Sequence, residues 1–140
     1  MAEFTAVATQ EVAQGESIAF TETAVSGSSC IVHREGSSIT KLRGLTNQCF
    51  ARFLVTYSGN IQIPTGGAVG EISLAIAVDG EPLQSAKMII VPTATETLQN
   101  VSAQAFITVP RNCCSTVSVT NTSTQAIETQ NSNLIVTRTA

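Results

Sequence analysis

An all-β sandwich of about ten short strands is the fold the sequence predicts, and three observations predict it. Apolar and polar residues alternate with period two in segment after segment, and no window sustains the 3.6-residue period of a helix. Turn residues interrupt these segments at short intervals. Only 12% of the residues are charged against 43% hydrophobic, about half the charged share of an ordinary globular chain, which is roughly 25%. Ser, Thr, Asn and Gln fill the gap, as expected where solvent-facing strand positions are hydroxyl-rich.

In chain order, Phe4–Thr9 and Ser17–Thr21 read as strands on either side of a turn at Gln14-Gly15. Cys30–Arg34 and Ile39–Arg43 flank Glu35-Gly-Ser-Ser38, a hairpin signal. Phe50–Ile63 reads as one long strand with Phe53, Val55 and Tyr57 on one face and Arg52, Leu54 and Thr56 on the other, and Gly59-Asn60 marks a bulge or bend within it. Pro64–Ala68 is a loop. Ile72, Leu74, Ile76 and Val78 then share one side of a strictly alternating strand. Asp79-Gly80 is the strongest hairpin signal in the chain, because a two-residue primed turn needs positive φ. Met88–Val91 returns from that turn, and Thr97–Val109, Ser115–Asn121 and Ala126–Thr139 supply three more strands. So many strands without a Cys…Trp…Cys core fit a jelly roll better than an immunoglobulin sandwich. A length of 140 residues suits one domain.

Charge and composition exclude several function classes. The net charge is −3, and Lys41, Arg43 and Arg52, the nearest approach to a basic cluster, are spread over two separate segments, so no nucleic-acid partner is expected. No run approaches the roughly 18 apolar residues of a membrane span. The opening Met1–Thr9 lacks a cationic stretch followed by an apolar one, so no Sec-type leader is expected. Release by lysis, as for virions and spores, is the expected route to an extracellular place. Few charges also mean little protection against self-association.

Residues able to carry chemistry are scarce. His33 is the single histidine and has no acid or nucleophile near it in sequence, which predicts a surface strand residue. Asp79 is accounted for by its turn. Glu71 and Glu81 flank a strand rather than share a face, so they do not form the carboxylate pair of a glycosidase. Thr65-Gly66-Gly67 is followed by a strand, not by the helix a phosphate loop needs. No catalytic residue, cofactor or metal is expected. The cysteines, Cys30, Cys49, Cys113 and Cys114, lack the paired spacing of a zinc site. They read either as small apolar residues or as disulfide or subunit-contact thiols. Strand alternation allows only one of the vicinal Cys113 and Cys114 to face a core.

Four segments resemble a known family: Phe53–Ile63, Ile72–Pro82, Val117–Thr122 and Asn133–Arg138. They are similar to the complement-head/tumour-necrosis-factor-like jelly roll of bacteria and phages, including stand-alone proteins of gut Clostridia and their prophages. The likeness covers residues 38–140. It implies a ten-stranded core sandwich and a compact homotrimer packed through the sheet that holds the first and last strands. Residues 1–37 lie outside it and read as an N-terminal arm or outer strands that pair with a neighbouring subunit. The function expected is a non-enzymatic structural protein of a virion or of a spore or cell-surface particle, assembling through homotrimers. The alternative is a receptor- or carbohydrate-binding module that uses the end loops.

Overall fold

The computed structural model describes residues 1–140 as eleven strands in two antiparallel sheets. The strands are β1 (Ala2–Ala6), β2 (Gln10–Val12), β3 (Glu22–Val25), β4 (Ile31–His33), β5 (Thr40–Arg43), β6 (Phe50–Gln62), β7 (Ile72–Val78), β8 (Glu81–Ile90), β9 (Gln99–Pro110), β10 (Cys114–Asn121) and β11 (Ile127–Arg138). Sheet A runs β3-β1-β11-β6-β9, with β2 continuing the row of β1 along β11. Sheet B runs β4-β5-β10-β7-β8. The two inner faces enclose one apolar cluster of 28 residues.

Period-two patterning builds that core. Along β6 the inward residues Ala51, Phe53, Val55, Tyr57 and Ile61 are fully buried, while Phe50, Arg52, Leu54 and Thr56 face outward. On β7, Ile72, Leu74 and Ile76 point into the core, yet Ser73, Ala75 and Ala77 on the other side are buried as well. The reason is size: Ala75 lies between the longer Thr120 of β10 and Lys87 of β8. Asp79 and Gly80 both have positive φ, as a two-residue primed turn requires. The returning strand starts at Glu81, earlier than the sequence suggests, and bulges between its pairings with Ala77 and Ala75.

Residues 1–37 correct an expectation. They do supply outer strands, β3 and β4, but they are no arm. β1 lies inside sheet A, between β3 and β11, in register from Ala2 opposite Val136 to Ala6 opposite Ser132. Ala2, Phe4, Ala6, Val12, Ile18 and Phe20 all belong to the core cluster. The segment Ser17–Thr21, expected as a strand, makes one bridge to Thr120 and then crosses between the sheets. Ile18 N–H donates to Val119 O and Phe20 N–H to Ser37 O.

The irregularity expected at Gly59-Asn60 sits across the ladder. β11 bulges between Gln130 and Asn133, with Asn131 in the left-handed region at φ 55°. The bulge resets the alternation, so that Thr129 and Ser132, three positions apart, both face inward. Gly59 leaves room for the Tyr57 ring to fold over the strand, and a Cβ there would lie 2.5 Å from the Tyr57 hydroxyl. That hydroxyl shares a 3.0 Å hydrogen bond with Ser132 Oγ. Burial pushes the Tyr57 phenol up to about 12, the Ser132 bond opposing it. An ordinary tyrosine titrates near 10. The folded value is the higher one, so the associated stability is complete below about pH 10 and is lost as pH rises toward about 12, some 2–3 kcal/mol in all. Tyr57→Phe should flatten that alkaline loss in denaturation midpoints taken from pH 7 upward. At neutral pH it should cost about 1 kcal/mol for the unpaired Ser132 hydroxyl.

Candidate functional site

The four cysteines gather at one end of the sandwich, although they are scattered in sequence. Cys30 precedes β4, Cys49 precedes β6, Cys113 lies in the β9–β10 turn and Cys114 opens β10. Main-chain bonds tie these segments together: Gly44 N–H donates to Cys113 O at 2.8 Å, Arg111 N–H to Cys49 O at 3.0 Å and Arg43 N–H to Cys30 O at 2.8 Å. All four are free thiols, with Cys30 buried and the other three exposed. Neither Cys113 nor Cys114 faces the core: Cys113 belongs to the turn and Cys114 stands at the strand's exposed end. The buried Cys30 Sγ accepts a 3.0 Å hydrogen bond from Arg138 Nη1, which also donates to Leu45 O at 2.7 Å. No three His, Cys, Asp or Glu side chains converge as a metal site.

His33 is not the surface residue its neighbours suggest. Its ring stacks on Phe4 at a 4.4 Å centroid distance and meets Phe20 edge-on. Nε2 lies 3.0 Å from Ser37 O. A carbonyl only accepts, so Nε2 carries a proton, while Nδ1 is buried without a partner. The single histidine therefore closes the open side of the sandwich between β1 and β4. The signal for this was Phe20, whose place in the core brings an aromatic wall against the histidine.

The outer face of sheet A carries an exposed apolar patch. Leu54 on β6 pairs with Phe106 on β9, and Ile135 on β11 pairs with Thr56 beside them. Phe106 is 63% exposed. At the edge of this patch the Arg52 guanidinium lies 4.8 Å from the Phe50 ring centroid. Farther along the same face an amide row replaces the apolar one. Asn100 Nδ2 donates to Asn60 Oδ1 and Asn60 Nδ2 to Asn131 Oδ1, each at 3.2 Å. β9 forms the sheet edge over 12 residues without a charged side chain.

The loops at the end opposite the thiols hold a polar cavity of about 370 Å³ lined by Glu71, Ser73, Lys87, Thr122, Ser123 and Thr124. Much of its hydrogen-bonding capacity is used internally. Ser73 Oγ and Thr122 Oγ1 are 2.6 Å apart, and Ser123 Oγ accepts from Ser73 N–H at 2.7 Å and donates to Ser73 O at 3.1 Å. It has no aromatic wall on which a sugar ring could stack.

No protein-family model and no curated protein matches the chain. Among solved structures, the globular domain of the zebrafish complement 1qA protein superposes with a TM-score of 0.59 at 10% identity, covering 96% of this chain and 94% of that one. The fold is a jelly roll of the complement-head type. Two further likenesses have lower scores. The C-terminal domain of the sugar-binding protein EclA gives a TM-score of 0.44 at 12% identity over 94% of this chain and 79% of its own. A family 35 carbohydrate-binding module from Clostridium thermocellum gives 0.37 at 14% identity over 92% of this chain and 98% of its own. In the jelly roll, sheet A is the sheet that contains both the first and the last strand.

Proposed function

We propose that this jelly roll is a non-enzymatic structural subunit that associates with copies of itself through the outer face of sheet A, as a homotrimer, within a virion or a spore or cell-surface particle. The observation that carries the reading is Phe106, an aromatic side chain 63% exposed, opposite Leu54 and part-way along an edge strand free of charge. Covering such a side chain is worth about 1.5–3 kcal/mol, and each copy adds its own. Natural edge strands are normally guarded by charge or proline within the strand. Here the only proline of β9 is its last residue, Pro110. The net charge of −3 opposes association of copies only weakly. The trimer is the assembly implied by the resemblance to the complement-head family, in which the equivalent sheet surrounds the threefold axis.

Light scattering on the full chain at about 0.5 M salt, where charge contacts are screened, should give three times 14.6 kDa, with and without reductant. Phe106→Asp should reduce the mass to one subunit while leaving the far-UV spectrum unchanged, because the side chain lies outside the core and is 63% exposed. A wild-type protein of one subunit mass would overturn the proposal.

A further inference from the structure

The two ends of the sandwich differ in the sign of most of their charges, although Asp79, bonded to Thr116, and Glu81 stand on the thiol side. Arg43 ends β5 opposite Cys114, Arg52 stands opposite Thr108, Arg111 sits in the β9–β10 turn and Arg138 ends β11. Four of the seven Lys and Arg residues thus share the thiol pole. The opposite pole is acidic. Glu128 opens β11 opposite Glu11, Glu16 O accepts from Asn121 N–H at the end of β10, Glu71 precedes β7, and Glu96 N–H donates to Ile63 O past the end of β6. Five of the ten acids are therefore grouped at that end, with Lys87 as the one cation among them.

The two poles leave each other unneutralised. β11 spans 12 residues between them, which at about 3.3 Å per residue puts them some 30–40 Å apart. Charges interact over about 8–10 Å at ordinary ionic strength. Local partners do not neutralise them either. Arg43 Nη1 donates to Ser29 O, Arg52 Nε to Thr108 Oγ1 and Arg138 Nη1 to Leu45 O. On the acidic side Glu128 accepts from Gln62 and Glu96 from the Thr65 hydroxyl. Glu11 and Glu128 are also direct cross-strand neighbours, an arrangement of like charges that costs stability until a cation arrives.

We propose that the arginine pole of one copy docks onto the acidic pole of the next, so that the protein stacks head to tail along its strand axis. The occupant is a second copy because the complementary surface is carried by the same chain. The two surfaces differ, so the contact is heterologous and does not close on itself. It builds on the self-assembly reading but uses neither Phe106 nor the sheet A face. Like poles repel, so head-to-head contacts are disfavoured. All four cysteines lie on the arginine pole, which places carboxylates rather than thiols opposite them in the stack and makes it independent of oxidation.

Light scattering of the full chain tests this without any variant. Mass should grow with concentration at low salt, collapse to a constant unit by about 0.5 M salt, and be unchanged by reductant. Two charge-reversed chains then test the poles: Arg43→Glu with Arg111→Glu, and Glu11→Lys with Glu96→Lys. Each alone should lose the low-salt growth, with association at least about tenfold weaker, because each double reversal leaves its pole without net charge, and an equimolar mixture should join base units two by two, since one chain keeps its acidic pole and the other its arginine pole. A wild-type mass insensitive to salt would overturn the proposal, as would a mixture that stays at the base unit or an arginine pole that binds a heparin-type polyanion without any self-stacking. A wild-type base unit of one subunit mass with salt-dependent growth retained would instead fault only the lateral trimer.

Discussion

Deleting residues 1–25 should abolish the folded state, not merely an assembly contact. The deletion removes Ala2, Phe4, Ala6, Val12, Ile18 and Phe20, each no more than 2% exposed. Truncating one buried phenylalanine to alanine typically costs about 3–5 kcal/mol, and here two are lost with four smaller neighbours and the whole β1–β11 ladder. A domain of this size is stable by only about 5–15 kcal/mol. The truncated chain would also expose the β11 edge along Ser132–Val136, a template for aggregation. The expected result is an insoluble product or one without a cooperative melting transition. A soluble truncated protein with the parent's far-UV spectrum and melt would show that residues 1–25 do act as a detachable arm.

This is also where the sequence was hardest to read. The long alternating segments were legible: β6 with its inward Phe53, Val55 and Tyr57, the β4–β5 hairpin, the Asp79-Gly80 turn and the strands from β9 to β11. Each is defined by local periodicity and by a turn whose chemistry admits few alternatives. Residues 1–37 have shorter strands, and the partner of β1 and β2, β11, lies more than a hundred residues away. Nothing local says that Phe4 faces Leu134. Ser17–Phe20 alternates like a strand because its apolar side chains fill the gap between the sheets, not because its backbone forms a ladder. β3, Glu22-Thr-Ala-Val25, was missed because an exposed edge strand has little apolar pattern to show.

The surface was less legible than the core for a related reason. Phe106 reads as one more strand residue until register places it on the outward side beside Leu54. Arg43 and Arg52 seemed dispersed because they lie on separate segments. The fold brings their strand ends together and adds Arg111 and Arg138 to the same pole. A net charge of −3 hides this, since a sum cannot show that opposite signs sit at opposite ends. The cysteines are scattered in the sequence, and only main-chain bonds through Gly44, Arg43 and Arg111 gather them.

Gly44→Ala is expected to carry the largest effect of any single-methyl change. Gly44 follows β5, and its N–H donates to Cys113 O while its carbonyl accepts from Asn112 N–H at 3.0 Å. A Cβ at this position would collide with the Pro110 main-chain oxygen and stand 3.2 Å from Cys113 O. Both obstacles are backbone, so no side-chain rotation relieves them. Either the β5–β6 connection or the β9–β10 turn must move, breaking the bonds that pin the thiol pole. A cost of about 3 kcal/mol follows, at the upper end of ordinary overpacking. Gly66→Ala is the useful comparison: its φ of +84° is unfavourable for alanine, but nothing lies within 4 Å of the added methyl. That change should cost only about 1 kcal/mol. Chemical denaturation of both variants separates steric collision from backbone strain. Gly44→Ala should in addition speed thiol modification of Cys113 and Cys49 under native conditions, because their segments lose their anchor, whereas Gly66→Ala should leave those rates at the parent's value. Equal denaturation midpoints for the two variants would mean that the turn yields freely and that the thiol pole is softer than its hydrogen bonds imply.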